Sequence, residues 1–264
     1  MNRLKSPLRY PGGKSRLSEH LVSLFPKDFL EYREPFVGGG SVFFEAKQRF
    51  PDRRFRINDL FQDLFTFWKM LRDRPKSVVE GVISLKSRFS DGRRLYDFLT
   101  SPHEAPDVER AAEFFAINRI TFSGTTLSGG YSDESFRKRF TDSSIERLLR
   151  SSEILSDDVE ITGDDFSSLT DAPGDGVFVF LDPPYFIGNR SKLYGRDGNL
   201  HRDFDHLRLF ESLRSSPHRW LMTYNDCPFI RQLYSGFTIT PIEFAYGMRQ
   251  GKTGKEVVVS NYAA

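Results

Sequence analysis

Residues 31–41 read Glu-Tyr-Arg-Glu-Pro-Phe-Val-Gly-Gly-Gly-Ser. The first seven residues predict a strand, three glycines then break it, and Ser41 is a good N-cap for a following helix. A second short strand at residues 55–57 leads to Asp59, which lies 21 residues after Gly38. The glycine turn lets a ligand approach the backbone, and an acid at this spacing can bind ribose hydroxyls. From these residues alone, a nicotinamide or flavin cofactor fits nearly as well as S-adenosylmethionine.

Strand and helix patterns alternate again after residue 157. The expected elements are strands at residues 159–162, 177–181, 220–224, 237–239 and 256–260, and a helix at 204–213. Such alternation is typical of an α/β fold with a parallel sheet. Residues 72–157 differ, because they are helical and charged and surround a Gly/Ser/Thr-rich loop at 122–131. We therefore predict a Rossmann-like α/β domain from residues 1–71 and 158–264, with a helical insertion at 72–157.

An apolar run at residues 176–180 leads into Leu-Asp-Pro-Pro-Tyr at residues 181–185. Two consecutive prolines fix two φ angles and remove two N–H donors, so this turn is stiff and presents carbonyl oxygens. These acceptors suit methylation of an exocyclic amino group on a nucleobase, whose lone pair is delocalised into the ring. The Asp182 carboxylate and the Pro183 carbonyl can each accept an amino hydrogen, and Tyr185 offers a ring to an extruded base. The alternative is a strand end followed by a turn and a core tyrosine.

A second glycine-containing loop, Pro-Leu-Arg-Tyr-Pro-Gly-Gly-Lys, occupies residues 7–14. Its end imitates a phosphate-binding P-loop, but Leu8 stands where the first glycine belongs and no predicted strand precedes it. We therefore discard a nucleotide-phosphate site here. Tyr10 could instead pack on a cofactor and Lys14 could reach its carboxylate, although a surface turn with a solvated lysine explains the same residues.

The composition is that of a globular chain, with 264 residues of which 38% are hydrophobic and 28% charged. Its net charge of +2 argues weakly for a nucleic-acid partner, but basic residues cluster at residues 1–20, 186–202 and 244–255. One cysteine excludes a disulfide within the chain, and five histidines without metal-ligand spacing predict no metal site. No apolar run reaches about 18 residues and no signal peptide is visible, so we expect a cytoplasmic protein without a membrane partner.

Together these segments resemble the Dam-like family of DNA adenine-N6 methyltransferases, of the type with an Asp-Pro-Pro-Tyr motif. The matching residues are 8–14, 34–41, 58–59 and 181–185, and residues 224–226 and 260–262 are also similar. The resemblance implies a methyltransferase-type Rossmann sheet, S-adenosylmethionine as cofactor, double-stranded DNA as partner and extrusion of the target base. It also implies a prokaryotic or phage-infected cell as the setting, and we expect a monomer.

The resemblance assigns roles to residues of this chain. It implies catalysis by Asp182, Pro183, Pro184 and Tyr185. The positions implied for the cofactor are Tyr10, Lys14, Pro35, Phe36, Gly38, Gly40, Asp59, Asp165, Phe166 and Asp182.

Residues 118–131 look like the DNA-contacting loop of the family. The residues implied for DNA are Arg9, Asn118, Arg119, Phe122, Ser123, Tyr131, Arg137 and Lys138. Phe122 or Tyr131 could fill the gap that an extruded base leaves in the stack. Relatives that methylate GATC carry Phe-Asn-Gly where this chain has Phe-Ser-Gly at residues 122–124, so the target sequence stays open.

Other functions also stay open at this stage. The acceptor could be cytosine N4 or a base in RNA, because Asp-Pro-Pro-Tyr alone excludes neither. The chain could also be a catalytically silent DNA-binding protein, although the intact Asp59, Asp182 and Tyr185 argue against this. A restriction–modification pair, a phage enzyme and an enzyme that acts alone are all compatible with the sequence.

Overall fold

The computed structural model describes residues 3–125, 129–186, 204–245 and 253–263. Within these ranges seven strands form one sheet. They are β1 (Glu31–Glu34), β2 (Arg54–Asn58), β3 (Val159–Thr162), β4 (Val177–Leu181), β5 (Arg219–Asn225), β6 (Thr238–Ala245) and β7 (Thr253–Ser260). Their order is β3-β2-β1-β4-β5-β7-β6, in which β1 to β5 are parallel and β7 is antiparallel to both neighbours. This mostly parallel sheet confirms the predicted α/β, Rossmann-like fold.

Most of the described helices come before β3 in the chain, and six of them lie between β2 and β3. They are α1 (Ser18–Ser23), α2 (Ser41–Arg49), α3 (Gln62–Asp73), α4 (Pro75–Arg88), α5 (Gly92–Thr100), α6 (Asp107–Ile120), α7 (Asp133–Arg139), α8 (Asp142–Ser151), α9 (Ser167–Thr170), α10 (His206–Ser215) and α11 (Pro228–Leu233). Helix α6 packs on α3 and α4 and is buried along most of its length. None of these helices has the length and apolar character needed to cross a membrane. The assignment of residues 72–157 to a separate domain stays a prediction.

The central strand β4 is buried along its whole length, which explains its continuous apolar sequence. Side chains alternate across a strand, so its two faces enter different parts of the core. Phe178 belongs to one hydrophobic cluster, which continues into α2, α3 and α6, whereas Val179 belongs to a second, which lies against α10 and α11. The sheet is therefore covered by apolar side chains on both faces.

Two local details differ from the sequence-based expectations. Ser41 is the first residue of α2, and the N-cap is Gly40, whose φ of 69° is costly for a residue with a side chain. The last two strands are longer than predicted, because β6 and β7 pair with each other from Thr238 to Ala245 and from Thr253 to Ser260.

The strand order reverses between β1 and β4. The chain proceeds from β1 to β2 and β3 on one side, and continues with β4 and β5 on the other. In open α/β sheets such a switch point forms a crevice at the carboxyl ends of the strands, where ligands bind. Because β7 is antiparallel, its first residues reach this same edge of the sheet.

Candidate active site

The glycine turn after β1 is held by residues that follow β2. Gly38 has a φ of 48° and donates its N–H to Asp59 Oδ2 at 2.9 Å. The Phe61 N–H donates to Asp59 Oδ1 at 3.0 Å, and the Trp68 indole donates to the Gly38 carbonyl at 3.0 Å. The turn and the acid that the sequence spaces 21 residues apart are therefore in direct contact.

Tyr10 lies on this glycine turn. A Cβ atom at Gly38 would be 3.2 Å from the Tyr10 ring, and one at Gly39 would be 2.6 Å from the Tyr10 Cβ. The glycines thus permit a close approach that other residues would prevent. The N-terminal loop borders the crevice, and a contact between Tyr10 and a cofactor stays a prediction.

Buried and partly buried carboxyl groups lie around the turn. The pKa of Asp59 is raised from 3.8 to about 6, because the effect of burial outweighs the hydrogen bonds from Phe61 and Gly38, which lower it. Burial also raises the pKa of Glu34 well above its ordinary value; the hydrogen bond from Tyr32 lowers it, and the charges of Asp182 and Asp59 raise it further. Such mutual perturbation is frequent at functional sites. Among the described residues, no group of three or more His, Cys, Asp or Glu side chains is arranged to hold a metal ion.

Asn58 connects the turn after β1 with the segment after β3. Its Nδ2 donates to the Pro35 carbonyl at 3.0 Å and to the Asp164 carbonyl at 2.9 Å, and its Oδ1 accepts from the Asp164 N–H at 2.8 Å. Asn58 is buried, so water does not compete for these bonds. They bring Phe36 beside Phe166, with ring centroids 5.7 Å apart.

Arg208 of α10 covers the predicted adenine-binding residues. Its guanidinium lies 4.4 Å from the centroid of the Phe166 ring and donates to the Asp165 carboxylate. Although burial raises the pKa of Asp165, hydrogen bonds from Ser167 and Arg208 outweigh it and hold that pKa below its ordinary value. Asp165 and Arg208 are 43 residues apart, and no short-range sequence signal connects them.

Asp182 follows β4 and is held by two other segments. Lys14 Nζ lies 2.9 Å from both carboxylate oxygens, and the Thr223 hydroxyl donates to Oδ1 at 2.6 Å. Lys14 and Thr223 are buried, whereas the Asp182 side chain keeps 22% of its surface exposed. Pro183 is buried behind it and Pro184 is partly exposed. The carboxylate therefore meets the crevice from a fixed position, as an acceptor for an incoming N–H group requires.

The ring of Tyr185 is packed between neighbours. It stacks on Tyr224, with ring centroids 5.7 Å apart and an interplanar angle of 25°, and Lys14 Nζ lies 4.9 Å from its centroid. Burial, followed by the charges of Asp182 and Glu256, raises the pKa of Tyr185 well above its ordinary value, so its hydroxyl stays neutral. Stacking of an extruded base on this ring stays a prediction.

Sequence reasoning did not find Thr223, Glu256 or Arg208. Glu256 is 3% exposed within β7, opposite Asn225 of β5, and its Oε2 lies 3.9 Å from Lys14 Nζ. An acid directly before the apolar residues 257–259 is an available signal, because a charged residue in a buried strand needs a partner. The sequence does not show which partner it has.

The structure places two of the residues predicted for DNA in the interior. Asn118 is fully buried: its Oδ1 accepts from the Arg9 N–H at 3.1 Å, and its Nδ2 donates to the Arg9 and Gly124 carbonyls at 2.6 and 3.0 Å. Arg119 is 4% exposed, and its guanidinium donates to the Pro7 carbonyl. Both side chains hold the N-terminal segment against α6. Direct DNA contact by these two side chains stays a prediction.

Arg119 lies near three other arginines, Arg9, Arg139 and Arg147, and we call these four residues the arginine cluster. Burial, followed by the charges of Arg147, Arg9 and Arg139, lowers the pKa of Arg119 to about 9. Burial and the charge of Arg139 also lower the pKa of Arg9. Arg139 and Arg147 are exposed. Crowding of like charges at a surface attracts polyanions, because a bound anion relieves the repulsion.

The loop after α6 exposes an aromatic side chain. Phe122 is 66% exposed in a 3₁₀ turn (Phe122–Gly124), in which Ser123 has a φ of 56°. Tyr131 pairs with Thr121 across the loop, and its hydroxyl donates to Asp133 at 3.1 Å. Phe122 therefore projects from the surface, whereas Tyr131 is held against it.

Arg137 and Lys138 are exposed on α7. Each forms an ion pair one helical turn away, Arg137 with Asp133 at 2.7 Å and Lys138 with Glu134 at 2.9 Å. Exposed pairs of this type contribute little stability, so both cations can turn to another anion at small cost.

Comparison with known proteins identifies the family. A family model described as D12 class N6 adenine-specific DNA methyltransferase matches residues 10–248. The type II methyltransferase M1.LlaDCHI of Lactococcus lactis subsp. cremoris is 28% identical over 96% of this chain and 94% of its own length. The type II methyltransferase M.MjaIII of Methanocaldococcus jannaschii is 26% identical over 90% of this chain and 91% of its own length.

A phage protein is similar along most of this chain as well. The DNA N-6-adenine-methyltransferase of Escherichia phage P1 is 27% identical over 90% of this chain, which corresponds to 32% of the phage protein. The family model spans the glycine turn, the loop after α6 and the turn after β4 in one match. The chain therefore belongs to the D12 class of N6 adenine-specific DNA methyltransferases.

Proposed function

We propose that the protein transfers a methyl group from S-adenosylmethionine to N6 of an adenine that is extruded from double-stranded DNA. The observation that carries the proposal is the Asp182 carboxylate, which Lys14 and Thr223 fix at the switch point of the sheet while it stays partly exposed. Relatives named type II methyltransferases favour one short target sequence and a restriction enzyme as counterpart. We expect a monomer in the cytoplasm of a prokaryotic or phage-infected cell.

The residues around the switch point fit S-adenosylmethionine. Asp59 has lone pairs for ribose hydroxyls beyond the two that accept backbone N–H groups. Phe36, which is partly exposed beside the buried Phe166, offers an aromatic surface to the adenine ring, and the partly exposed Asp165 offers it a carboxylate. Gly38 leaves open a volume that a Cβ would fill. When bound, the cofactor supplies a methyl group on a positively charged sulfonium.

In this proposal, Asp182 and the carbonyl of Pro183 accept the two hydrogens of the adenine amino group. These two acceptors favour a pyramidal nitrogen with its lone pair available for attack. The cofactor would supply the methyl group with loss of its carbon–sulfur bond to sulfur, and one amino proton would leave to water. Asp182 orients and polarises the amino group rather than removing its proton early, because a carboxylate is a weak base.

DNA would lie against the loop after α6 and the arginine cluster. Together with Arg137 and Lys138, the exposed cluster members Arg139 and Arg147 supply positive charge for backbone phosphates. Phe122, the most exposed large hydrophobic residue in the described part of the chain, fills the gap left by the extruded adenine. Extrusion costs a few kcal/mol, which contacts in the site offset. Family membership disfavours cytosine N4 and RNA bases as acceptors.

The test is methyl transfer from labelled S-adenosylmethionine to unmethylated genomic DNA, followed by nucleoside analysis and long-read mapping. We expect N6-methyladenine within one short sequence. Asp182→Ala should lower turnover at least about 100-fold with DNA binding retained. Asp158→Ala is the matched control, since it removes an exposed carboxylate that pairs with Lys47 outside the site.

Three results would contradict the proposal. Formation of N4-methylcytosine would show that the acceptor is cytosine and not adenine. No transfer to DNA by a protein that binds the cofactor would point to RNA or to a silent DNA-binding protein. Near-normal turnover of Asp182→Ala would remove Asp182 from the catalytic residues.

A further inference from the structure

The ammonium of Lys14 lies between two carboxylates at the same edge of the sheet. It is 2.9 Å from the oxygens of Asp182 and 3.9 Å from Glu256 Oε2. Lys14 and Glu256 are both buried, so water screens their attraction poorly. Because Coulomb attraction falls with the inverse of distance, the Glu256 Oε2 atom attracts the ammonium with about three quarters of the energy of each Asp182 oxygen.

This competition matters because Asp182 must also bind the substrate. Thr223 occupies a lone pair on Oδ1, and Lys14 contacts both oxygens, so the protein uses most of the acceptor capacity of the carboxylate. An entering amino group has to share this carboxylate with the ammonium. The two distances from Lys14 differ by 1.0 Å, which small rotations of the four-carbon lysine side chain can cover.

We infer that Glu256 is a positioning residue that draws the Lys14 ammonium away from Asp182 as the target amino group arrives. The inference rests on the function proposed above and deepens its mechanism. Lys14 keeps an anionic partner at every stage, so no buried charge is left unpaired. Glu256 does not touch the substrate and acts through Lys14.

The surroundings hold both residues for this role. Glu256 is paired with Asn225 at the carboxyl end of β5 and is followed by the buried Val257, which fixes its backbone. The Gly12 carbonyl accepts a hydrogen bond from Lys14 Nζ at 2.9 Å. This contact keeps the ammonium near both acids while its carboxylate partner changes.

A double-mutant cycle with Lys14→Met and Glu256→Gln tests the inference. Glu256→Gln should lower kcat roughly 10- to 100-fold, because the ammonium then stays on Asp182. In the Lys14→Met background, the same substitution should have no further effect on kcat. Urea midpoints of the four ligand-free proteins should show the same non-additivity, since the two side chains contact each other. Glu256→Asp should restore part of kcat.

The matched control is Glu31→Gln. Glu31 is also a buried glutamate in an ion pair, with Arg33, but it lies at the beginning of β1, the opposite edge of the sheet. The kcat of the Glu31→Gln variant should stay within about twofold of the wild-type value. If Glu256→Gln does not fold, Glu256→Asp takes its place in the cycle, with a reduced kcat expected only when Lys14 is present.

The inference would be overturned if the two substitutions lowered kcat independently, so that their factors multiply in the double variant. It would also be overturned if Glu256→Gln had the same kcat as the wild-type protein. Either result leaves the proposed function intact, because wild-type protein still methylates DNA. Absence of methylation by the wild-type protein would instead refute the proposed function, and the inference with it.

Discussion

The side chain of Asn118 binds both backbone groups of Arg9, which lies 109 residues earlier. A second amide holds the same N-terminal segment nearby: Gln48 Oε1 accepts from the Leu4 N–H at 2.8 Å, and its Nε2 donates to the Leu4 carbonyl at 2.9 Å. The segment is therefore fixed twice before it reaches Lys14, at Leu4 by α2 and at Arg9 by α6. Because α6 also leads into the loop with Phe122, it connects the proposed DNA-binding surface with the candidate active site.

This connection predicts different outcomes for two similar variants. Asn118→Ala removes three hydrogen bonds from a buried site and should lower the free energy of unfolding by about 1–3 kcal/mol. It should also weaken DNA binding, since Arg9 belongs to the arginine cluster. Gln48→Ala should lower stability similarly but leave DNA binding unchanged. Urea unfolding and fluorescence anisotropy measure both effects; equally weakened DNA binding in the two variants would contradict the connection.

The raised pKa of Asp59 predicts how stability depends on pH. The folded protein has a pKa of about 6 at this group, compared with 3.8 as the ordinary value, so it binds the proton more tightly than the unfolded chain between these values. The free energy of unfolding should therefore fall by about 3 kcal/mol as the pH rises from about 4 to about 6 and Asp59 loses its proton. Asp59→Asn should lack this loss. Urea unfolding across this range gives the two curves, and parallel curves would show that Asp59 does not titrate as expected.

Cofactor binding should depend on the same group. An ionised Asp59 accepts ribose hydroxyls more strongly than a neutral one, so we expect the affinity for S-adenosylmethionine to fall as pH decreases below about 6. Asp165, whose pKa is held low, stays ionised there. Asp165→Asn should therefore weaken binding by the same factor at each pH. Calorimetry between about pH 5 and 7 makes the comparison, and a pH-independent wild-type affinity would argue against the ribose contact.

Contacts within one β–α–β unit could be predicted from the sequence. Gly38 and Asp59 follow neighbouring parallel strands, so their spacing along the chain places them at the same edge of the sheet. Asp182 follows the next strand at the switch point and could be assigned from its motif. These predictions need only the direction of the strands and the order in which they occur.

The remaining site residues depend on longer-range packing. Glu256 reaches the site because β7 inserts antiparallel between β5 and β6, and no local pattern specifies that insertion. Asn118 is polar and precedes a glycine-rich loop, which favours exposure in a sequence, but it is buried where it bonds to Arg9 of the N-terminal segment and to Gly124. Burial of a side chain by a segment that is distant in sequence is a property of the folded chain, so no local pattern reveals it.

Gly38→Ala tests the fit between the glycine turn and Tyr10. The φ of 48° disfavours any residue with a Cβ, and the new Cβ would be 3.2 Å from the Tyr10 ring. We expect a loss of about 1–3 kcal/mol in stability and cofactor binding weakened about tenfold or more. Gly236→Ala is the matched control, because its Cβ would meet nothing within 4 Å. Tight cofactor binding by Gly38→Ala would show that the ligand does not approach this turn closely.

Phe122 allows base extrusion to be tested separately from folding. Its side chain is 66% exposed, so Phe122→Ala should change stability by less than about 0.5 kcal/mol. If the ring fills the gap left by the adenine, its removal costs about 1–3 kcal/mol of stacking and lowers the extruded fraction roughly 10- to 100-fold. The fluorescence of 2-aminopurine at the target position of a mapped duplex reports extrusion. Phe122→Trp should retain base extrusion. Leu149 is another exposed apolar residue, and Leu149→Ala should leave extrusion unchanged. Unchanged fluorescence and turnover in Phe122→Ala would move the role to Tyr131, the other aromatic side chain of this loop.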